Sequence, residues 1–198
     1  MTLRDRADAY AVLFPDRPPL QVVREQARDV IYGTWLGGQD YRNASKFYGA
    51  YPPGYLERVM ALFPDVTPSA LPTDVLHVFS GSLPPGHYER CDLLQPAEIQ
   101  ADVCELPNII LNWRPRLVIA DPPYSAADAD KYRTPPLNRR RALESIARIT
   151  QPGGHLVWLD CVWPMHNKQQ WVTVGRITLI RSTNHRVRLV SIFERVAA

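Results

Sequence analysis

The stretch Leu117-Val118-Ile119-Ala120-Asp121-Pro122-Pro123-Tyr124 decides how the chain is read. Its first half is a short apolar, β-branched run of the kind that fills a parallel strand buried on both faces. Its second half breaks that run with an acid, two prolines that fix φ and remove backbone donors, and an aromatic ring. At average residue usage, four specified residues in this order arise by chance well under about one time in a hundred in a chain this long. Ligands in open α/β sheets bind just beyond the carboxyl ends of strands, and the tetrapeptide stands at such an end.

Working outward, Val75 to Phe79, Tyr88 to Leu94, Ile99 to Val103 and His155 to Cys161 are further short apolar runs bounded by Pro, Gly and Asp, and are read as buried strands. Arg139 to Ile149 is read as a helix, with Ala142, Ile146 and Ile149 inward, stopped by Gln151-Pro152-Gly153-Gly154. Trp171 to Arg181 and His185 to Val196, joined by Ser182-Thr183-Asn184, have the pattern of a terminal hairpin. Towards the N-terminus, residues 3 to 14 and 20 to 32 are read as helices, the second from Leu20, Val23, Ala27, Val30 and Ile31 at three- and four-residue intervals, with Gly33, Gly37 and Gly38 ending it. Pro52-Pro53 opens a short helix, Tyr55 to Phe63. The expected architecture is an α/β sheet with one reversed strand; residues 1–40 form a helical N-terminal extension and 41–198 the main domain.

A flat molecule bearing an exocyclic amine suits the tetrapeptide. Such an amine is a poor nucleophile because its lone pair is delocalised into the ring. The Asp121 carboxylate can accept one N–H and the Pro122 carbonyl the other, drawing the nitrogen towards a tetrahedral geometry. The rings of Pro122 and Pro123 hold the turn, and Tyr124 can stack on a nucleobase, a contact worth about 1–3 kcal/mol.

These four residues resemble motif IV of the amino-directed DNA methyltransferases, which methylate adenine N6 or cytosine N4 with S-adenosylmethionine, and the resemblance runs from about Asp74 to the C-terminus. It implies a Rossmann-like class I methyltransferase fold, a seven-stranded, mostly parallel sheet. It also implies cofactor-binding residues. Val75 to Ser82 resembles the first strand and cofactor loop, with His77 where the family carries an acid, followed by Phe79, Ser80 and Gly81. Asp92 falls where the family's ribose-binding acid stands, and Asp102, with Val103 beside it, matches the acid that contacts the adenine. Ser45 to Pro53, with Lys46 and Tyr51, is similar to the segment that closes over the methionine end. The cofactor loop departs from the family: Leu83 replaces its second glycine, and eight residues separate Phe79 from Tyr88. Parallel strands normally need a dozen or more for a crossover. An N-terminal helix is therefore expected to cover the sheet face left bare.

Lys131, Arg133, Arg139, Arg140 and Arg141 follow the motif and are expected to contact phosphates while one base is extruded; half of that reading belongs to an ordinary solvated charge run. The formal net charge of +3 permits a polyanion partner without requiring one. Hydrophobic residues at 45% and charged residues at 22% exclude a disordered or coiled-coil chain. The 19 prolines, many in pairs, stiffen the loops. Cys91, Cys104 and Cys161 lack metal-ligand or disulfide spacing, so no metal is expected, and they are read as small buried side chains. No apolar stretch reaches a membrane-spanning length and the first residues are charged, so a cytoplasmic location without membrane contact is expected.

The absence of a Pro-Cys motif argues against cytosine C5 chemistry, which needs a thiolate. Three readings stay open: an amino-methyltransferase acting on DNA, adenine N6 ahead of cytosine N4; an RNA-directed relative; and a non-catalytic, nucleic-acid-binding subunit that kept the fold. With little room for a target-recognition domain, a partner subunit is an expected source of specificity.

Overall fold

The computed structural model describes residues 1–37, 51–66, 73–181 and 186–197. Its strands form one nine-stranded sheet in the order β1-β2-β8-β9-β7-β6-β3-β4-β5. The central group is β3 (Val75–Val78), β4 (Glu89–Asp92), β5 (Ile99–Gln100), β6 (Leu117–Ala120) and β7 (His155–Asp160), all parallel. Next to β7 lies β9 (Val187–Arg195), antiparallel to it and to β8 (Trp171–Arg181). β3, β6 and β7 are buried at every position, as their unbroken apolar runs require. The turn 182–184 expected between the last two strands lies outside the described residues.

The N-terminal segment departs from expectation. Residues 3 to 13 are helical (α1, Leu3–Leu13), with a capping box between Thr2 and Asp5. Residues 20 to 32 are not a helix but a hairpin of β1 (Gln21–Glu25) and β2 (Arg28–Gly37). Its turn residues Gln26 and Ala27 both have positive φ, 41° and 71°. Two-residue hairpin turns of this kind normally announce themselves with Asn or Gly, so the sequence carried no turn signal. The β-branched Val22, Val23, Val30 and Ile31 prefer a pleated surface, and β2 finds one by pairing in parallel with β8 over Ile31 to Gly37. Gly33 and Gly37 therefore lie inside a strand, while Gly38 is outside the described residues. A Cβ on Gly33 would fall 2.2 Å from a Leu20 methyl, so the glycine makes room for Leu20. The extension is thus part helix, part sheet edge, and the sheet has two reversed strands, β1 and β9.

Two hydrophobic clusters cover the two sheet faces. On one, α5 (Arg139–Ile149) and the short turns η1 (Val103–Glu105) and α3 (Leu106–Ile109) pack Leu143, Ile146 and Leu106 against Val118, Ala120, Leu156 and Trp158. On the other, α1 and α2 (Tyr55–Leu62) pack Tyr10, Val59 and Leu62 against Val75, Leu117, Ile119 and Val157. The connections from β3 to β4 and from β4 to β5 contain no helix, so this N-terminal pair does cover the face they leave open. Arg6 of α1 locks the pair: buried, it donates to Leu62 O (2.9 Å) and to both Asp65 oxygens (2.6 and 3.1 Å). Cys91 is buried as expected, but Cys104 is half-buried and Cys161 exposed. Among the described residues no helix is long and apolar enough to cross a membrane.

Candidate active site

Asp121 to Tyr124 leave the carboxyl end of β6 and run into a short helix, α4 (Ala126–Tyr132), capped by Ser125 accepting from Asp128 N–H. The motif closes on itself. The Tyr124 hydroxyl donates to Asp121 Oδ1 at 2.5 Å, and the Arg188 guanidinium lies 4.9 Å from the centroid of the Tyr124 ring. Asp121 is surrounded by protein yet reaches solvent on one side. Burial pushes its carboxyl up to about 6, Arg188 and the Tyr124 hydroxyl pull it back, and Asp160 adds a smaller upward push. Burial and then the charge of Asp121 hold the phenols of Tyr51 and Tyr55, stacked on each other at 5.6 Å, well above their usual range. The Tyr55 hydroxyl is buried with no hydrogen-bond partner among the described residues.

A second carboxylate supports the loop from behind. Asp160, at the end of β7 and fully buried, accepts from Arg139 (2.7 and 3.2 Å), from Trp158 Nε1 (3.1 Å) and from Cys161 N–H (2.7 Å). The same guanidinium donates to the Tyr124 carbonyl at 2.7 Å. Arg139, expected on phosphate, is instead committed to Asp160 and to holding Tyr124, because a buried carboxylate needs a paired cation. The other expected phosphate ligands stay at the surface. Arg140 pairs only with Glu144 (2.8 Å), Lys131 lies 3.5 Å from Asp128, and Arg133 and Arg141 are exposed.

The expected cofactor residues gather at the ends of β3, β4 and β5. Phe79 and Gly81 take positive φ (57° and 54°), an uncommon geometry for a bulky residue and one that concentrates at functional sites. Gly81 N–H donates to Asp92 Oδ2 (2.8 Å), while Asp92 Oδ1 accepts from Leu94 and Gln95 N–H (2.9 and 2.8 Å). Ser80 is buried and its hydroxyl has no partner among the described residues. Asp102 caps η1 through Cys104 N–H (2.8 Å) with its side chain exposed, and Val103 is buried beside it. His77 does not join them. It is 3% exposed, T-shaped against Tyr88 (4.6 Å), with Nδ1 3.2 Å from the Tyr51 hydroxyl, so it is a core residue. Tyr51 bridges it to Ile119 O (3.3 Å), joining the strands of the two motifs, while Lys46 lies outside the described residues.

Arg188, Tyr55 and Asp160 went unread as site residues. Arg188 was legible in principle: a reversed strand brings its first residues to the carboxyl ends of its neighbours, here Leu189 opposite Asp160. Nothing local marks Tyr55, which the packing of α2 brings in.

Five parallel strands followed by a reversed strand inserted before the next parallel one define the Rossmann-like class I methyltransferase fold. No family model matches the chain, and no curated protein matches it in sequence. Among solved structures, TrmN from Thermus thermophilus is 15% identical, with a TM-score of 0.44 over 62% of this chain and 43% of its own length. The chain thus spans less than half of TrmN. The N-methyltransferase NodS from Bradyrhizobium japonicum WM9 is 12% identical, with a TM-score of 0.40 over 62% of this chain and 85% of NodS. Its complex with S-adenosyl-L-homocysteine aligns over 97% of this chain and 86% of NodS at 11% identity and a TM-score of 0.36.

Proposed function

We propose that the chain is an S-adenosylmethionine-dependent methyltransferase acting on an exocyclic amine of a nucleobase, adenine N6 in DNA ahead of cytosine N4. The observation that carries this reading is Asp121: a carboxylate at a strand's carboxyl end, followed by Pro122-Pro123, with the Tyr124 hydroxyl donating to it and its pKa raised to about 6. The cofactor's fit rests on the turn after β3, where positive φ at Phe79 and Gly81 opens the backbone and the buried Ser80 hydroxyl lacks a partner. Phe79, Ser80, Gly81, Asp92, Asp102 and Val103 would hold it. Asp92 Oδ1 already accepts two backbone N–H groups and Oδ2 one, so Oδ2 retains capacity for a ligand hydroxyl. When bound, S-adenosylmethionine supplies an electrophilic methyl on a sulfonium.

For the amine to enter, Tyr124 releases Asp121 Oδ1, and that oxygen accepts a substrate N–H while the Pro122 carbonyl accepts the other. The nitrogen becomes tetrahedral and its lone pair points outward. The Asp121 carboxylate would stabilise the positive charge that develops on nitrogen as the N–C bond forms and the methyl–sulfur bond breaks, leaving a neutral thioether, and it would take the departing proton. No covalent enzyme intermediate is involved. Arg139, held by Asp160, fixes the loop at the Tyr124 carbonyl. Arg140, Arg141, Lys131 and Arg133 supply phosphate contacts around the site.

A second reading, a subunit that binds nucleic acid without catalysis, is favoured by the helix-free β3–β4 connection and by an Asp92 already engaged by three backbone donors. Transfer of labelled methyl to duplex DNA, single-stranded DNA and total RNA, followed by nucleoside mass spectrometry, separates them. N6-methyladenine or N4-methylcytosine from DNA supports the proposal, and a methylated base from RNA alone moves the substrate to RNA. No label, together with no heat of cofactor binding, leaves the subunit reading.

A further inference from the structure

The connection from β7 to β8 also contains no helix among its residues 161–170, and it leaves a cleft of about 290 Å³ against β8 and β9 on the α5 side of the sheet. Trp163, His166 and Phe193 supply three aromatic walls, and Thr173, Arg176 and Ser191 supply the polar lining. Ser191 is 1% exposed, yet its hydroxyl has no hydrogen-bond partner among the described residues. A buried hydroxyl is normally satisfied, so Ser191 keeps an unused donor and acceptor at the floor of the cleft. Arg176 is pre-oriented by the Tyr32 hydroxyl (2.6 Å) and Glu25 (3.4 Å), and Trp163 stands 45% exposed at the rim.

We infer that this cleft is a second binding site, distinct from the Asp121 site, for a single nucleobase. The volume lies at the low end for ligand sites and admits one ring system. Trp163 and the half-buried His166 offer stacking faces, which every base can use, over a floor formed by the buried Phe193. Two hydroxyls and a guanidinium give the mixture of donors and acceptors that a heterocycle's edge needs, whereas an aliphatic ligand would leave them unpaired. The lining holds a cation and no carboxylate, which suits a base carried on phosphate. Ser191 pairs across to Trp158 and Trp158 to Ala120, so the cleft is two strand spacings, about 10 Å, from the strand that ends in Asp121. The base comes either from a nucleotide near the one in the Asp121 site or from a free nucleoside.

The test titrates the full chain with adenosine and with a short oligodeoxyadenylate, following tryptophan fluorescence and thermal stability. Tyr124→Ala, Trp163→Ala and Ser191→Val are compared with the parent. Binding that survives Tyr124→Ala and weakens about tenfold in both Trp163→Ala and Ser191→Val is the expected result. Trp163 is exposed, so its variant remains informative if Ser191→Val fails to fold. Oligomer binding at least tenfold tighter than adenosine and salt-dependent identifies a strand nucleotide; equal affinities identify a free nucleoside. Unchanged affinity in Trp163→Ala, or no binding of either probe, overturns the inference. Methyl transfer is read separately, so failure of the cleft with transfer intact, or of transfer with the cleft intact, tells the two proposals apart.

Discussion

Two carboxylates stand one strand apart at the carboxyl edge of the sheet, and their surroundings are opposite. Asp160 faces the α5 side and is saturated by a guanidinium, an indole N–H and a backbone N–H. Asp121 faces the N-terminal side and has one hydroxyl, a cation over the adjacent ring and a raised pKa. The faces behind them differ in the same sense. The α5 face is covered by helices from the β5–β6 and β6–β7 crossovers, whereas the other face is covered by α1 and α2, which precede the central strands in the chain. A satisfied acid builds structure, and an acid left short of partners keeps hydrogen-bonding capacity for a substrate.

The sharpest way to break this contrast is Asp121→Ala. Methyl transfer should fall at least about 10²–10³-fold, as for loss of a transition-state electrostatic partner. Cofactor affinity should change less than about twofold, because the proposed reading puts Asp121 on the amine and not on the turn after β3; a large loss of both would make Asp121 a structural residue. Raised from 3.8 to about 6, Asp121 destabilises the folded state once ionised, so stability rises as pH falls from about 6 towards 4. Transfer needs the ionised form and falls over the same window, which a pH–rate profile reads. Asp121→Asn should remove that pH dependence of stability.

Asp160→Ala should do the reverse, losing about 3 kcal/mol in denaturant unfolding because Arg139, Trp158 Nε1 and Cys161 N–H all lose a partner. Transfer falls with it through the loosened Tyr124. A fully stable, inactive Asp160→Ala would dissolve the distinction between the two acids.

The faces should also part under acid. Burial depresses His77 and His155 from 6.5 to about 3, helped by Arg90 at His77 and by Arg6 at His155, where Asp65 opposes it; both rings lie under the N-terminal cover against Tyr51 and Phe63. The unfolded chain then binds more protons, so their stabilising share is whole above pH 6.5 and is lost as pH falls towards 3. It amounts to about 2 kcal/mol per histidine by pH 5. Hydrogen exchange at pH 5 should open α1, α2 and the hairpin before α5; simultaneous opening would show the sheet to be one cooperative unit.

The smallest expected effect is Arg140→Ala. Its pair with Glu144 lies in solvent, where screening leaves little net stabilisation, so melting should barely move. On the proposed reading, DNA affinity weakens and the slope of log K against log salt drops by about one. Arg139→Ala, by contrast, should unfold more readily, and an equal salt effect from both would restore Arg139 to phosphate.

Much of the α5 side was legible residue by residue. Leu117 to Ala120 and His155 to Asp160 are apolar at nearly every position because both their faces are buried, and α5 repeats its apolar residues at helical spacing. The position of Asp121 to Tyr124 was legible because proline ends a strand, and the structure places the four residues at the carboxyl end of β6. The N-terminal side was less legible. Val23, Ala27, Val30 and Ile31 fit a helical period as well as a hairpin, and Gln26-Ala27 is a turn without turn residues. His77 stood in a cofactor motif but turned inward, and Arg139 stood in a basic run but turned to Asp160.

The sequence by itself determined the parallel strands, the reversed last strand and the acid that ends β6, because those rest on local pattern: which side chains alternate, where proline and glycine stop an element, and which groups can polarise an amine. Only the tertiary structure decided which charges are spent and which remain available. Pairing β2 with β8, bringing Arg188 over Tyr124 and closing Arg139 onto Asp160 all join residues far apart in the chain, and the desolvation that favours such pairs exists only once the sheet has both faces covered.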